Sequence, residues 1–240
     1  MSRVALVTGG TRGIGAAISL ALKAAGRTVI ANYASNDAAA VAFHAEHHIA
    51  VKKFDVCDFE ACKTAIEEIV AAHGPIEIVV NNAGITRDAT MLRMNRDQWD
   101  AVIDTNLGSC FNICKLTFEG MRNAKFGRVV NIGSINGQAG QYGQVNYAAA
   151  KSGMHGFTKA LAQEGARFGI TVNAIAPGYV DTEMVRAVPG EVLKKIVAKI
   201  PVGRLGHAED IARGVAFLTA DDADFITGST LSINGGQHMY

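Results

Sequence analysis

A doubly wound α/β fold, with a parallel seven-stranded sheet and helices on both faces, is the architecture this 240-residue sequence predicts. Two observations carry the expectation. Seven short runs rich in β-branched residues alternate with longer stretches of helical periodicity, the pattern of repeated β-α-β units. Several of the runs, such as Val4-Ala5-Leu6-Val7, are apolar nearly throughout, as strands covered on both faces must be.

Taken in order, strands are expected over residues 4–8, 28–32, 50–55, 76–81, 127–132, 171–175 and 230–233. Helices are expected over 13–25, 36–48, 59–73, 95–123, 146–168 and 207–220. Residues 177–201 fit neither pattern. Pro177, Pro189 and Pro201 and an amphipathic piece at 191–199 point to a mobile loop with one or two short helices, a small lid over a substrate. No linker, repeat or low-complexity tract interrupts the chain, so residues 1–240 read as one domain containing that lid.

Bulk properties exclude several classes of function. With 23 Lys and Arg against 22 Asp and Glu, the net charge of +1 offers no general attraction to nucleic acid or an anionic membrane. There is no apolar run of 18 residues, and no charged leader or cleavage site precedes the run at Val4, so a cytoplasmic location is expected. Cys57, Cys62, Cys110 and Cys114 form no CxxC pair and read as reduced, buried, small apolar residues.

Thr8-Gly9-Gly10-Thr11-Arg12-Gly13-Ile14-Gly15 joins the first strand to the first helix. Glycines there permit a tight turn and let backbone N–H groups approach a pyrophosphate at a helix N-terminus, while Gly15 allows close helix–strand packing. A plain glycine-rich turn would look similar, but the place of the motif, at the first strand of the chain, favours a Rossmann-type dinucleotide site. The end of the second strand reads Ile30-Ala31-Asn32-Tyr33-Ala34-Ser35, with no carboxylate before Asp37. NAD sites commonly place an acid there for the ribose 2′-hydroxyl. Its absence, with Arg12 able to form a charge-assisted bond to a 2′-phosphate, favours NADP(H); the alternative for Arg12 is a solvated loop residue.

Tyr147-Ala-Ala-Ala-Lys151 lies in a helical stretch, which places its phenol and ammonium one turn apart on one face. Ser134 ends the fifth strand. Ketone reduction needs a hydride on carbon and a proton on the developing alkoxide. A phenol, ordinarily ionising near 10, serves as the acid if a neighbouring cation stabilises its anion. A serine hydroxyl would hold the carbonyl oxygen in place. Alone, such a Tyr/Lys pair is usually two surface side chains.

Its company changes that reading. Thr8-Gly9-x-x-x-Gly13-Ile14-Gly15, Asn81-Asn82-Ala83-Gly84, Asn106, Ser134, Tyr147-x-x-x-Lys151 and Pro177-Gly178 together resemble the motif set of the short-chain dehydrogenase/reductase family, in its order and spacing, over the whole chain. The resemblance implies catalytic roles for Ser134, Tyr147 and Lys151, and for Asn106 as holder of a water that resupplies protons to Lys151. It implies cofactor contacts along Gly9, Thr11, Arg12, Gly13, Ile14 and Gly15, at Tyr33, Asp55 and Val56, and along Asn82, Ala83, Gly84, Ile85 and Thr86. Tyr147 and Lys151 again, with Pro177, Gly178, Tyr179, Val180 and Thr182, complete the set.

Within that family the chain is similar to two branches, the acetoacetyl-CoA reductases of polyhydroxybutyrate synthesis and the 3-oxoacyl-carrier-protein reductases of fatty acid synthesis. Residues 135–146, with their Asn-Gly-Gln and Gly-Gln pairs, and the ending Asn234-Gly235-Gly236-Gln237-His238-Met239 resemble the first. Phe126 and Phe168 stand where the second carries basic residues for an acidic partner, although Lys125 and Arg167 are adjacent, and Gly133 matches the second branch. The first branch implies an acyl-CoA thioester as substrate, touching Ser134, Asp88, Gln141, Tyr142, Gly143, Gln144, Gly178 and Tyr179. Loop solvation for Gln141 and capping for Asp88 are the alternatives. A catalytically silent NADP sensor on the same fold would have no use for the Ser134, Tyr147 and Lys151 set.

His44, His47 and His48 have helical spacing but no further ligand cluster, and the chemistry requires no metal. Trp99 reads as packing at a helix start. Helices 95–123 and 146–168 carry apolar residues on more than one side, which suggests subunit contacts, and the family resemblance implies a homotetramer.

Overall fold

The chain alternates strand and helix as its periodicity requires. In a computed structural model, which describes residues 2–182, 185 and 190–239, β1 (Val4–Val7), β2 (Thr28–Tyr33), β3 (Ala50–Lys53), β4 (Ile76–Asn81), β5 (Gly127–Ile132), β6 (Ile170–Pro177) and β7 (Thr230–Ile233) form one parallel sheet in the order β3-β2-β1-β4-β5-β6-β7. The order reverses between β1 and β4, which opens a crevice beyond the carboxyl ends of the strands.

Around the sheet lie α1 (Gly13–Ala24), α2 (Asp37–His47), α3 (Phe59–His73), α4 (Arg96–Ile103), α5 (Ser109–Ala124), α6 (Ile135–Ala139), α7 (Val145–Gly165), α8 (Gly190–Val197) and α9 (Ala208–Leu218). Strand pleating sends alternate residues of β1 to opposite faces: Ala5 and Val7 join a core with α1 and α9, whereas Val4 and Leu6 join one with α3, α5 and α7. Local chemistry marks the boundaries. Asn36 and Asp58 accept backbone N–H groups at the starts of α2 and α3, and Asn95 forms a reciprocal capping box with Gln98 ahead of α4. Trp99 lies at the start of α4, half-buried, its N–H bonded to Asn95 O.

Three departures from the expected elements bear on function. The single helix expected over 95–123 is interrupted by a π-helical turn at Asp104–Gly108 that carries the buried Asn106. The run after Ser134, expected as loop, contains the short helix α6, with Ser134 as its N-cap. Cys57, expected buried, is exposed at the cleft; the thiols of buried Cys110 and Cys114 are pushed up to about 11 and about 12 by desolvation.

Within the segment 177–201, α8 is a short helix as expected; the stretches 183–184 and 186–189, Pro189 among them, lie outside the described residues. His44 and His47 have other work than ligation: His44 Nδ1 meets Ile49 O at 2.8 Å, and the His47 ring packs edge-on against Phe43. Among the described residues, no helix is long and apolar enough to cross a membrane.

Candidate active site

The carboxyl ends of β1 to β6 open on one cleft of about 1070 Å³. The β1–α1 loop forms its floor. Gly9 and Gly13 adopt φ of +60° and +52°, a region that favours glycine, and a Cβ on Gly15 would lie 2.1 Å from Gly9 O. Helix α1 has no side-chain cap and no acidic residue in its first turn, so its backbone donors face the cleft. These features fit a dinucleotide pyrophosphate. Gly9, Thr11, Arg12, Gly13, Ile14 and Gly15 all line this part.

Tyr33 is the last residue of β2, and Asp55 and Val56 follow β3. The first carboxylate after β2, Asp37, is held by Lys53 at 2.7 Å and sits beside the Tyr33 hydroxyl. Bonds from Lys53 and Tyr33 lower the Asp37 carboxyl below its ordinary range. Beyond β4, Asn82, Ala83, Gly84, Ile85 and Thr86 cross the cleft. Thr8 Oγ1 accepts the N–H groups of Asn82 (2.9 Å) and Ala83 (3.0 Å), tying this strand end to the glycine loop.

Ser134, Tyr147 and Lys151 converge in the same cleft. Burial raises the Tyr147 phenol above its ordinary value, while a hydrogen bond with Ser134 pulls it down and the charge of Asp88 pushes it up. The phenol is therefore protonated at neutral pH, as a proton donor must be. Lys151 is buried; desolvation pulls its ammonium down to about 8, and Nζ donates to Ile132 O at 2.7 Å. Its Nζ stands 5.7 Å from the Tyr147 ring centroid.

Asn106 stands behind this group. Its Oδ1 accepts the Ile85 N–H at 2.8 Å and its Nδ2 donates to Ile85 O at 3.0 Å. A Cβ on Gly84 would lie 3.3 Å from Asn106 Oδ1 and 3.6 Å from Lys151 Nζ, so Gly84 separates the two with little room to spare.

Asp88, Gln144, Pro177, Gly178, Tyr179, Val180 and Thr182 also line the cleft, Thr182 beside the glycine loop, where a Cβ on Gly13 would lie 4.0 Å from its Cγ2. Gln144 donates to Asp88 Oδ2 at 2.7 Å and accepts from Asn136 Nδ2 at 2.9 Å. Gln141, Tyr142 and Gly143 are not brought into the lining. Tyr142 is 87% exposed, and Gly143 adopts φ +79°, its carbonyl accepting the Ala89 N–H at 2.9 Å.

Sequence reasoning missed three supports. Asn32 Oδ1 accepts from Gly9 N at 3.2 Å, and Asn32 Nδ2 donates to Phe54 O at 2.9 Å. Fully buried Asn146 donates to Arg87 O and Gln98 O, each at 3.0 Å, and its Oδ1 accepts the Tyr147 N–H at 2.8 Å. Asn136 was read only as part of a likeness. Two buried asparagines at strand and helix ends were the available signal, since buried amides must be satisfied.

Comparison with known proteins agrees with this geometry. A family model described as enoyl-(acyl carrier protein) reductase matches residues 9–238. The chain is 63% identical over 238 residues to an acetoacetyl-CoA reductase of Shinella zoogloeoides, covering 99% of each chain. It is 62% identical to one of Rhizobium meliloti (strain 1021), covering 100% of both. Identity is 45% over 238 residues to a 3-oxoacyl-[acyl-carrier-protein] reductase of Escherichia coli (strain K12), covering 99% and 98%. With its parallel sheet, glycine loop and joined Ser134, Tyr147 and Lys151, the chain belongs to the short-chain dehydrogenase/reductase family.

Proposed function

We propose that this protein reduces acetoacetyl-CoA to (R)-3-hydroxybutyryl-CoA with NADPH, as a step toward polyhydroxybutyrate. The observation that carries the reading is the convergence of Ser134, Tyr147 and Lys151 at one end of the dinucleotide cleft, facing Asp88, Gln144 and Tyr179. Relatives at 63% and 62% identity that bear the name acetoacetyl-CoA reductase support it.

The bound nicotinamide supplies the hydride. The chain's residues do the rest: Ser134 holds the substrate's keto oxygen, and Tyr147 gives its proton to the alkoxide that forms. Lys151, cationic below about pH 8, favours the phenolate left behind. Asn106, beside Lys151 across Gly84, belongs to the path that returns a proton. Ser134, Asp88, Gln144, Gly178 and Tyr179 receive the acyl thioester, and residues 177–201 form the lid. NADPH is preferred because no carboxylate precedes Asp37 and Arg12 lines the cleft floor. A cytoplasmic homotetramer completes the reading. Exposed Phe111 on α5 and exposed Phe217 on α9 are apolar surface suited to subunit contacts.

One observation favours reduction of a carrier-protein thioester instead. Phe168 is faced by the guanidiniums of Arg122 (4.4 Å) and Arg167 (4.7 Å), and Lys125 lines the same depression, so positive charge persists around the aromatic ring. The deciding measurement is the ratio of kcat/KM on acetoacetyl-CoA and on the carrier-protein thioester, followed by loss of NADPH absorbance. A higher value on the CoA thioester is expected. The opposite order would transfer the assignment to the carrier-protein substrate, and NADPH binding without turnover on either would make the protein a sensor.

A further inference from the structure

We propose that Gln237, in the C-terminal tail, is a positioning residue for the substrate wall of the cleft: its Oε1 accepts the main-chain N–H of Tyr179 at 3.3 Å and sets where the Tyr179 side chain stands. The wall begins where β6 ends. Past Pro177 the chain leaves the sheet, and Gly178 N makes its bond to Ile233 O, 2.9 Å away at the end of β7.

The tail then turns back over that point. Gly235 and Gly236 adopt φ of +62° and +85°, conformations that favour glycine. Asn234 braces the reversal, its Oδ1 accepting Gly236 N at 3.0 Å and its Nδ2 donating to His238 O at 2.9 Å. Gln237 is thereby returned to the wall. A Cβ on Gly178 would lie 2.7 Å from Gln237 Oε1 and 2.8 Å from Asn234 Cα, so wall and tail meet with no space for a side chain.

The same turn grips the other root of the segment that begins at Pro177. Val202 N donates to Gly235 O at 3.1 Å, and a Cβ on Gly236 would lie 3.1 Å from Pro201 Cγ. A few tail residues therefore fix both places where the 177–201 segment joins the body.

Tyr179 is the part of this wall that lines the cleft. It is half-buried, and its phenol is raised by burial and by the nearby charge of Asp88. Asp88 is itself bonded to Gln144. Gln237 thus acts through Tyr179 on the part of the cleft lined by Asp88 and Gln144. Its effect should fall on thioester binding rather than on the proton donor or the pyrophosphate floor.

The effect on turnover rests on the acyl-thioester reading; the tail-to-wall bond does not. The test compares Gln237→Met, similar in length but without the acceptor, and Gln237→Glu, which keeps an oxygen acceptor. Kinetics with acetoacetyl-CoA and NADPH are read beside hydrogen exchange of residues 178–182 in the intact protein. Gln237→Met should raise KM about three- to tenfold, the range one ordinary hydrogen bond spans, with kcat and NADPH affinity within about twofold. Exchange at Tyr179 should quicken severalfold, and Gln237→Glu should return both readouts to near wild type. Unchanged exchange and KM in Gln237→Met would overturn the proposal. So would an equal loss of kcat, KM and NADPH affinity in both variants, which marks a structural role alone. If wild type fails to turn over acetoacetyl-CoA, the functional reading falls, and exchange at Tyr179 still decides the tail contact.

Discussion

Lys151 Nζ donates to the carbonyl oxygen of Ile132 at 2.7 Å, so the last residue of β5 anchors the ammonium beneath the phenol of Tyr147. The bond aligns helix α7 with the strand that delivers Ser134. It also gives a buried cation an acceptor where, among the described residues, no carboxylate pairs with it. The geometry of the candidate site and the cost of burial meet in this one contact.

Replacing Tyr147 by Phe removes the proposed proton donor and keeps the ring. Turnover should fall about a hundredfold or more, the usual scale for losing general acid help. NADPH binding, read by fluorescence titration, should persist. Near-normal turnover would refute the assignment of Tyr147 as the acid.

Lys151 couples stability to pH. Its folded value of about 8 lies below the ordinary 10.5, so the unfolded chain binds more protons between those values. Stability should therefore rise with pH from about 8 toward about 10.5, and the penalty is fully present below about 8. Lys151→Met should abolish activity yet raise Tm at pH 7, the relieved penalty being on the order of 3 kcal/mol before the loss of the Ile132 bond is subtracted. That gain should shrink toward pH 10. A Tm at pH 7 below wild type would contradict the buried-cation account.

Ser134 has two tasks, because its hydroxyl bonds Tyr147 and also accepts the Asn136 N–H at 3.1 Å as the cap of α6. Ser134→Ala should lower kcat about a hundredfold or more. Losing the cap should cost about 1 kcal/mol in denaturant melts. Ser134→Thr, which retains the hydroxyl, should recover the stability more fully than the rate.

The proposed preference for NADPH rests on the floor of the cleft. NADH in place of NADPH should raise KM strongly in the wild type. Arg12→Ala should weaken NADPH more than NADH, since a charge-assisted bond to the 2′-phosphate is lost. Equal efficiencies with the two cofactors would remove the roles given to Arg12 and to the missing acid after β2.

Much of this was legible along the chain. The strands could be read because residues such as Val4 to Val7 are buried on both faces and leave no polar alternation to confuse the period. Tyr147 and Lys151 could be paired because a helix brings residues four apart to one side. The π-helical turn at Asp104–Gly108 carried no such mark, and it is what turns Asn106 toward Ile85. The exposure of Gln141 and Tyr142 was also invisible, because likeness to relatives says which residues occur and not which way a loop faces.

By itself, the sequence determined the strand and helix periods, the glycine loop and the one-turn spacing of the catalytic pair, because these depend on neighbours within a few residues. Only the tertiary structure decided that Asn32 would brace Gly9, that Asn146 would hold the start of α7, and that Gln237 would reach back to Tyr179 across 58 residues. Such contacts exist because a buried or half-buried amide must find a partner wherever packing places one, and the packing is a property of the whole sheet.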